Sequence, residues 1–225
     1  MKKIAQLHYI TNGQTEEEIL QEVQDVVDAG IDWIQLRIKN ADIPFLEIAK
    51  KAREICRNST LIINDKVDVA KAVNADGVHL GKEDMPVDKA REILGDDKII
   101  GGTANDLADC LNLQLKGADY IGLGPYRFTK TKKKLSAVLG LEGYQKIVPC
   151  EEKYGSQLNS ITLPVLAIGG IQLEDIEKLM NNTCLHGIAV SGLIYNADSK
   201  KDMARDILKK LATNQSETEM QIEQA

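Results

Sequence analysis

Aromatic residues are scarce in this sequence: one Trp, six Tyr and two Phe in 225 positions. Apolar residues still make up 43%, so one sizeable core is expected, packed by aliphatic side chains. No C-x-x-C pair occurs among the cysteines at 56, 110, 150 and 184, and the histidines at 8, 79 and 186 build no zinc-ligand pattern with them. Widely spaced thiols of this kind read as reduced residues in or near the core of a cytosolic protein. No run of eighteen apolar residues occurs, and the start, MKKIAQLHYITNG, holds too short an apolar run for a signal peptide. A soluble, cytoplasmic protein without membrane contact is expected. An excess of basic charge is also missing. The net charge of −6 argues against a general nucleic-acid binder, which needs a cationic face to displace counterions.

What the chain does have is alternation. Short apolar runs (LHYIT, WIQLRI, TLIIND, DGVHL, KIIGGT, DYIGLG, LPVLAIGG, HGIAVSG) are each followed by a segment with apolar residues at helical spacing. In the first of these segments, Ile19, Val23, Val26 and Val27 share one face. The sixth is a longer and less regular stretch over 143–154. Eight strand–helix units without a second domain's worth of chain predict a single α/β domain, a (β/α)₈ barrel over residues 1–212. An open doubly wound sheet would call for a glycine-rich turn after the first strand, and none is present. Residues 213–225 are polar and are expected to form a tail without structure.

In such a barrel the chemistry sits at the carboxyl ends of the strands. QLRIK ends the second strand, and alternation puts Gln35, Arg37 and Lys39 on one side. Arg37 and Lys39 there form either a phosphate clamp or an exposed pair that caps helices. IIND presents Asn64 and Asp65, and HLGKED presents Asp84. The two carboxylates suit a hard divalent ion such as magnesium, or else Asp84 caps a helix and Asp65 is solvated. GGT presents Thr103.

The sixth strand releases GPYRFTKTKKK, which gathers Arg127 and four lysines in an otherwise acidic chain. Crossing the barrel mouth, it would bring Thr129, Thr131 and Lys132 to an anion. AIGG and AVSG, after the last two strands, supply Gly169, Gly170, Ser191 and Gly192, the place where this architecture holds a phosphate on backbone N–H groups.

Taken in order, QLRIK, IINDKVDVA, ADGVHLGKED, GLGPYRFTKTKKK, VLAIGGI and GIAVSGLI make the chain resemble the thiamine-phosphate synthases from Leu7 to Leu211. This resemblance implies a transferase of thiamine biosynthesis that joins two small phosphorylated substrates, a pyrimidine diphosphate and a thiazole phosphate. It also implies Mg²⁺ as cofactor, with Asp65 and Asp84 as metal ligands. Gln35, Arg37, Lys39, Asn64, Thr103 and Lys132 would bind the pyrimidine diphosphate, with Arg37, Lys132 and Thr103 in the catalytic roles. Thr129, Thr131, Gly170, Val190 and Ser191 would bind the thiazole phosphate. The family's habit suggests a homodimer. The chain departs from the pattern at Thr103, commonly Ser, and at Asn12, commonly acidic. The alternatives are a metal-independent thiazole-phosphate isomerase relative and a paralogue that binds precursors without catalysis.

Overall fold

The computed structural model describes residues 2–128, 137–149 and 161–223, with side chains as far as Thr213. Eight parallel strands close in sequence order into one barrel. They are β1 (Leu7–Ile10), β2 (Trp33–Leu36), β3 (Thr60–Asn64), β4 (Gly77–Leu80), β5 (Ile99–Ala104), β6 (Tyr120–Leu123), β7 (Val165–Ile168) and β8 (Gly187–Val190). The helices between them are α1 (Glu16–Asp28), α2 (Phe45–Ile55), α3 (Val67–Ala72), α4 (Val87–Leu94), α5 (Leu107–Leu115), α6 (Gly140–Ile147) and α7 (Asp175–Asn182). After β8 come a short α8 (Gly192–Tyr195) and the long α9 (Lys200–Glu223). The barrel expected from the alternation is the fold observed.

Local chemistry explains why the elements start where they do. Thr15 caps α1 by accepting the Glu18 N–H at 3.2 Å, and three glutamates in the first turn complement the helix dipole. Asp106 caps α5 in the same way, accepting from Asp109 at 2.8 Å. The apolar stripe of α1 buries Ile19, Val23 and Val26 against the outer face of the barrel.

Two cores result. The larger lies between strands and helices and is aliphatic, as expected from composition: Ile34, Leu36, Leu61, Ile63, Val78 and Ile121 all point into it. Burial of each such side chain is worth about 1.5–3 kcal/mol. The inside of the barrel differs from the expectation. There Trp33 and Tyr120 pack with Ile62 and Leu166, and His8 stacks on Trp33 with ring centroids 4.2 Å apart. Rings fit inside because glycines face them. A β-carbon on Gly101 would lie 2.1 Å from the Tyr120 ring, and one on Gly122 would lie 3.1 Å from the His79 ring.

Two further expectations need adjustment. The polar segment after Leu211 continues the backbone of α9 to Glu223. It holds no Gly or Pro, and its Ala, Glu, Gln and Met residues propagate a helix that the packed first turns have already nucleated. Of the cysteines, Cys56 and Cys110 are buried, and burial pushes both thiols up to about 12. Cys184 is exposed, and Cys150 lies outside the described residues.

Candidate active site

The carboxyl ends of the strands carry one layer of polar side chains inside the barrel. Strand register places Gln35 beside Ile62, Asn64 beside His79, and Thr103 beside Gly122. Gln35 Nε2 donates to Asn64 Oδ1 at 2.6 Å. His79 bridges two hydroxyls, with Nδ1 3.0 Å from the Tyr120 hydroxyl and Nε2 3.0 Å from Thr103 Oγ1. Both hydroxyls donate or accept as needed, so either neutral tautomer of His79 is satisfied. Gln35, Asn64 and Thr103, expected as substrate contacts, thus lie on one rim in two hydrogen-bonded groups on neighbouring strands. His79 and Tyr120 support it from below.

β2 ends at Leu36, so the alternation that groups Gln35, Arg37 and Lys39 stops there. Gln35 is buried, Arg37 half-buried and Lys39 exposed. The turn after β1 takes over the task of holding the last two. Thr11 Oγ1 accepts the Arg37 N–H at 2.8 Å and donates to the Arg37 carbonyl at 2.9 Å. Asn12 Oδ1 accepts from Lys39 Nζ. Burial lowers the pKa of Arg37 while Asp65 opposes the shift, so these two charges feel each other. Partial desolvation, then the like charge of Arg37, lowers the pKa of Lys39, and Glu22 opposes. The pair is therefore a tied cationic cluster at the rim, and no helix-capping bond from either side chain is present among the described residues.

Asp65 leaves the top of β3 in the left-handed region, φ 64°, and its N–H donates to the His79 carbonyl at 2.9 Å. Its backbone is thereby locked to β4. Asp84 does not cap α4, whose cap position is Pro86. It folds back instead, and Oδ2 accepts the Gly81 N–H at 2.8 Å. A side chain on Gly81 would collide with that carboxylate at 2.7 Å. The loop after β4 is thus shaped around Asp84. A cavity of about 380 Å³ beside it is lined by Asp84 and Thr103 together with Met85, Leu113 and Lys116. No group of three or more His, Cys, Asp or Glu that could hold a metal is present among the described residues, and the sequence pairs Asp84 with Asp65. That donor set fits a hard cation that keeps waters and borrows oxygens from a phosphate.

Across the mouth, the loops after β6 and β7 are pressed together. Tyr126 N–H donates to the Ile168 carbonyl and Arg127 N–H to the Gly169 carbonyl, both at 2.9 Å. Gly169 and Gly170 have φ of 93° and 71°. A β-carbon on Gly170 would meet the Arg127 side chain at 2.8 Å, so only glycine serves here. The Arg127 guanidinium grips Asp175 through its two terminal nitrogens, one bond at 2.7 Å. Where the chain returns, Leu139 and Gly140 donate to the carbonyls of Pro125 and Tyr126 at 2.9 and 3.1 Å. Both ends of the TKTKKK segment are therefore anchored at one place on the rim. Thr129, Thr131 and Lys132 themselves lie outside the described residues.

After β8, Ser191 begins α8, and its carbonyl accepts the N–H groups of Ile194 and Tyr195 at 3.2 and 3.0 Å. Val190 is 4% exposed, with its side chain in the outer core, so only its backbone is available to a ligand. Sequence reasoning missed His79, Tyr120, Thr11 and the Arg127–Asp175 pair. Alternation gave one usable hint, since His79 shares the inward parity of Asn64 and Thr103.

The family model described as thiamine monophosphate synthase matches residues 7–194. The thiamine-phosphate synthase of Flavobacterium johnsoniae is 47% identical over 211 residues, covering 92% of this chain and 97% of its own length. That of Bacteroides thetaiotaomicron is 44% identical over 207 residues, covering 90% and 95%. Among solved structures, the thiamine phosphate pyrophosphorylase of Pyrococcus furiosus superposes with a TM-score of 0.78 at 34% identity, covering 93% of this chain and 96% of that one. With a family model matched over residues 7–194 and relatives 44–47% identical over about nine-tenths of its length, the chain belongs to the thiamine monophosphate synthase family.

Proposed function

We propose that the chain is a thiamine-phosphate synthase that joins hydroxymethylpyrimidine diphosphate to hydroxyethylthiazole phosphate, releasing pyrophosphate. The observation that carries this reading is the single rim that holds Gln35, Asn64 and Thr103 between a cationic pair and two carboxylates. The aminopyrimidine lies against the amides of Gln35 and Asn64 and the hydroxyl of Thr103. Its diphosphate takes Arg37 and Lys39, joined by Lys132 from the loop after β6. Magnesium held by Asp65 and Asp84, when bound, neutralises charge on the diphosphate.

The bond between the pyrimidine methylene and the diphosphate oxygen breaks, and its electron pair leaves with pyrophosphate. Arg37 is the residue best placed to stabilise that charge, because its backbone is fixed by Thr11 before the substrate arrives. The electron-rich pyrimidine delocalises the cation left on the methylene. The thiazole nitrogen then donates its lone pair to that carbon and forms the new C–N bond. This nitrogen carries no proton to remove, so no general base is required. Thr129, Thr131, Gly170, Ser191 and the Val190 backbone hold the thiazole's phosphate and bring the nitrogen into line. The cytoplasm, where Cys56 and Cys110 remain thiols, is the compartment in which we place the reaction. No helix among the described residues is long and apolar enough to cross a membrane.

The test is incubation of the purified chain with both substrates and separation of the products. One thiamine phosphate and one pyrophosphate per turnover support the reading. Isomerised thiazole phosphate without condensation would replace it with the metal-independent alternative.

A further inference from the structure

The face that α1 turns to the barrel is made of Ile19, Val23, Val26 and one carboxylate, Glu22. Glu22 is 1% exposed. A charged residue on a packed helix face costs several kcal/mol unless it is fully hydrogen-bonded, and an aliphatic residue there would extend the stripe. Its partners show what the carboxylate does. Oε1 accepts the N–H groups of Asn12 at 2.8 Å and Gly13 at 3.2 Å, and Oε2 accepts the Tyr9 hydroxyl at 3.1 Å. Two of the three bonds go to the turn after β1. The same turn lies flat on the start of α1, where a side chain on Gly13 would strike the Ile19 N–H at 2.8 Å.

That turn is also what ties the cationic pair. Thr11 holds the Arg37 backbone through both its N–H and its carbonyl, and Asn12 Oδ1 receives the Lys39 ammonium. Three consecutive residues, Thr11 to Gly13, therefore connect a buried carboxylate on α1 to both cations at the rim. We propose that Glu22 is the positioning residue of the diphosphate clamp: it fixes the turn whose Thr11 and Asn12 aim Arg37 and Lys39 at the substrate. The inference rests on the reading of Arg37 and Lys39 as the clamp. Glu22 touches no substrate and acts through the turn alone.

The test measures KM for each substrate and kcat in Glu22→Ala, Glu22→Gln, Asn12→Ala, Lys39→Ala and the Glu22→Ala/Lys39→Ala double variant. Glutamine keeps the acceptor for both N–H groups and an amide for the Tyr9 hydroxyl, so it is expected to behave as the wild type. Glu22→Ala is expected to raise KM for the pyrimidine diphosphate about tenfold while that for the thiazole phosphate stays within about twofold. Asn12→Ala, which leaves the core untouched, is expected to show the same split even if Glu22→Ala fails to fold. In the Lys39→Ala background the alanine at 22 is expected to add much less, because two changes along one chain of contacts are not additive.

Equal loss toward both substrates, or full additivity with Lys39→Ala, would reduce Glu22 to a purely structural part and overturn the inference. So would an unchanged diphosphate KM in Asn12→Ala. If Lys39→Ala leaves the diphosphate KM unchanged, the clamp itself is wrong and the inference falls with it. If Lys39→Ala raises that KM and the changes at 12 and 22 do not, only the positioning role is lost.

Discussion

Arg127 and Asp175 join the loops after β6 and β7 across the barrel mouth. Asp175 is fully buried at the start of α7, and Arg127 reaches it from the surface with its two terminal guanidinium nitrogens. Asp175 also accepts the Gln172 N–H at 2.8 Å, so one carboxylate organises its own loop and captures its neighbour's. Arg127 lies two residues ahead of the TKTKKK segment and sets where that segment departs.

Removal of the arginine leaves a buried carboxylate without its cation. Arg127→Ala is therefore expected to destabilise the fold by about 3 kcal/mol, a fall in Tm of roughly 6–12 °C for a chain of this size. Thermal unfolding of the two proteins side by side checks it, and an unchanged Tm would show the pair to be ornamental.

Thr103 Oγ1 lies 3.0 Å from His79 Nε2, and under the proposed function the same hydroxyl meets the pyrimidine. Thr103→Val keeps the shape but leaves His79 Nε2 facing a methyl group, which is expected to cost about 1–2 kcal/mol of stability and to weaken the pyrimidine substrate. Thr103→Ser is expected to preserve both. Denaturant titration together with KM for the diphosphate measures the two effects separately.

Gly170 has φ 71° with the Arg127 side chain packed where a β-carbon would go. Gly170→Ala is expected to push the two loops apart and to raise KM for the thiazole phosphate about tenfold or more, with a stability loss above about 1 kcal/mol. Kinetics with the thiazole phosphate varied at saturating diphosphate reads this directly.

His8 lies inside the barrel against Trp33, and its Nε2 has no hydrogen-bond partner among the described residues. Burial, then the nearby His79 and His186, holds its pKa well below 6.5, with only a backbone bond to Ala5 opposing. The folded state keeps His8 neutral at a pH where the unfolded chain already takes the proton. Below about pH 6.5 the unfolded state binds more protons, so stability declines as pH falls, by up to about 1.4 kcal/mol per pH unit. Above that pH this contribution is fully present. His8→Phe keeps the stack and removes the titration, so its unfolding free energy is expected to be flatter between pH 6.5 and 5.

Much of this was legible in the chain. Short apolar runs, each followed by a period-3.6 segment, marked every strand and put Gln35, Asn64 and Thr103 near strand ends, because barrel strands are buried on both faces. Arg37 and Lys39 were read from strand alternation, but β2 stops at Leu36, and the turn holding Thr11 and Asn12 does what alternation was expected to do. That turn is 26 and 27 residues away in sequence from the two residues it holds. Asp84 read as a helix cap or a metal ligand, and only its bond to Gly81 removes the first choice. The aromatic interior could not be read, since Gly101 and Gly122 look like flexible residues until Tyr120 and His79 are seen to fill their space. The Arg127–Asp175 bond spans 48 positions and carries no local pattern at all.

The most direct measurement of the central claim is the condensation rate, followed as pyrophosphate release, with magnesium, with excess chelator, and in Asp65→Ala. Release that matches thiamine phosphate formation, requires magnesium and falls by about a hundredfold or more in the variant is the expected result. Condensation at the full rate in chelator, or in Asp65→Ala with magnesium, would contradict the metal site and the clamp built around it.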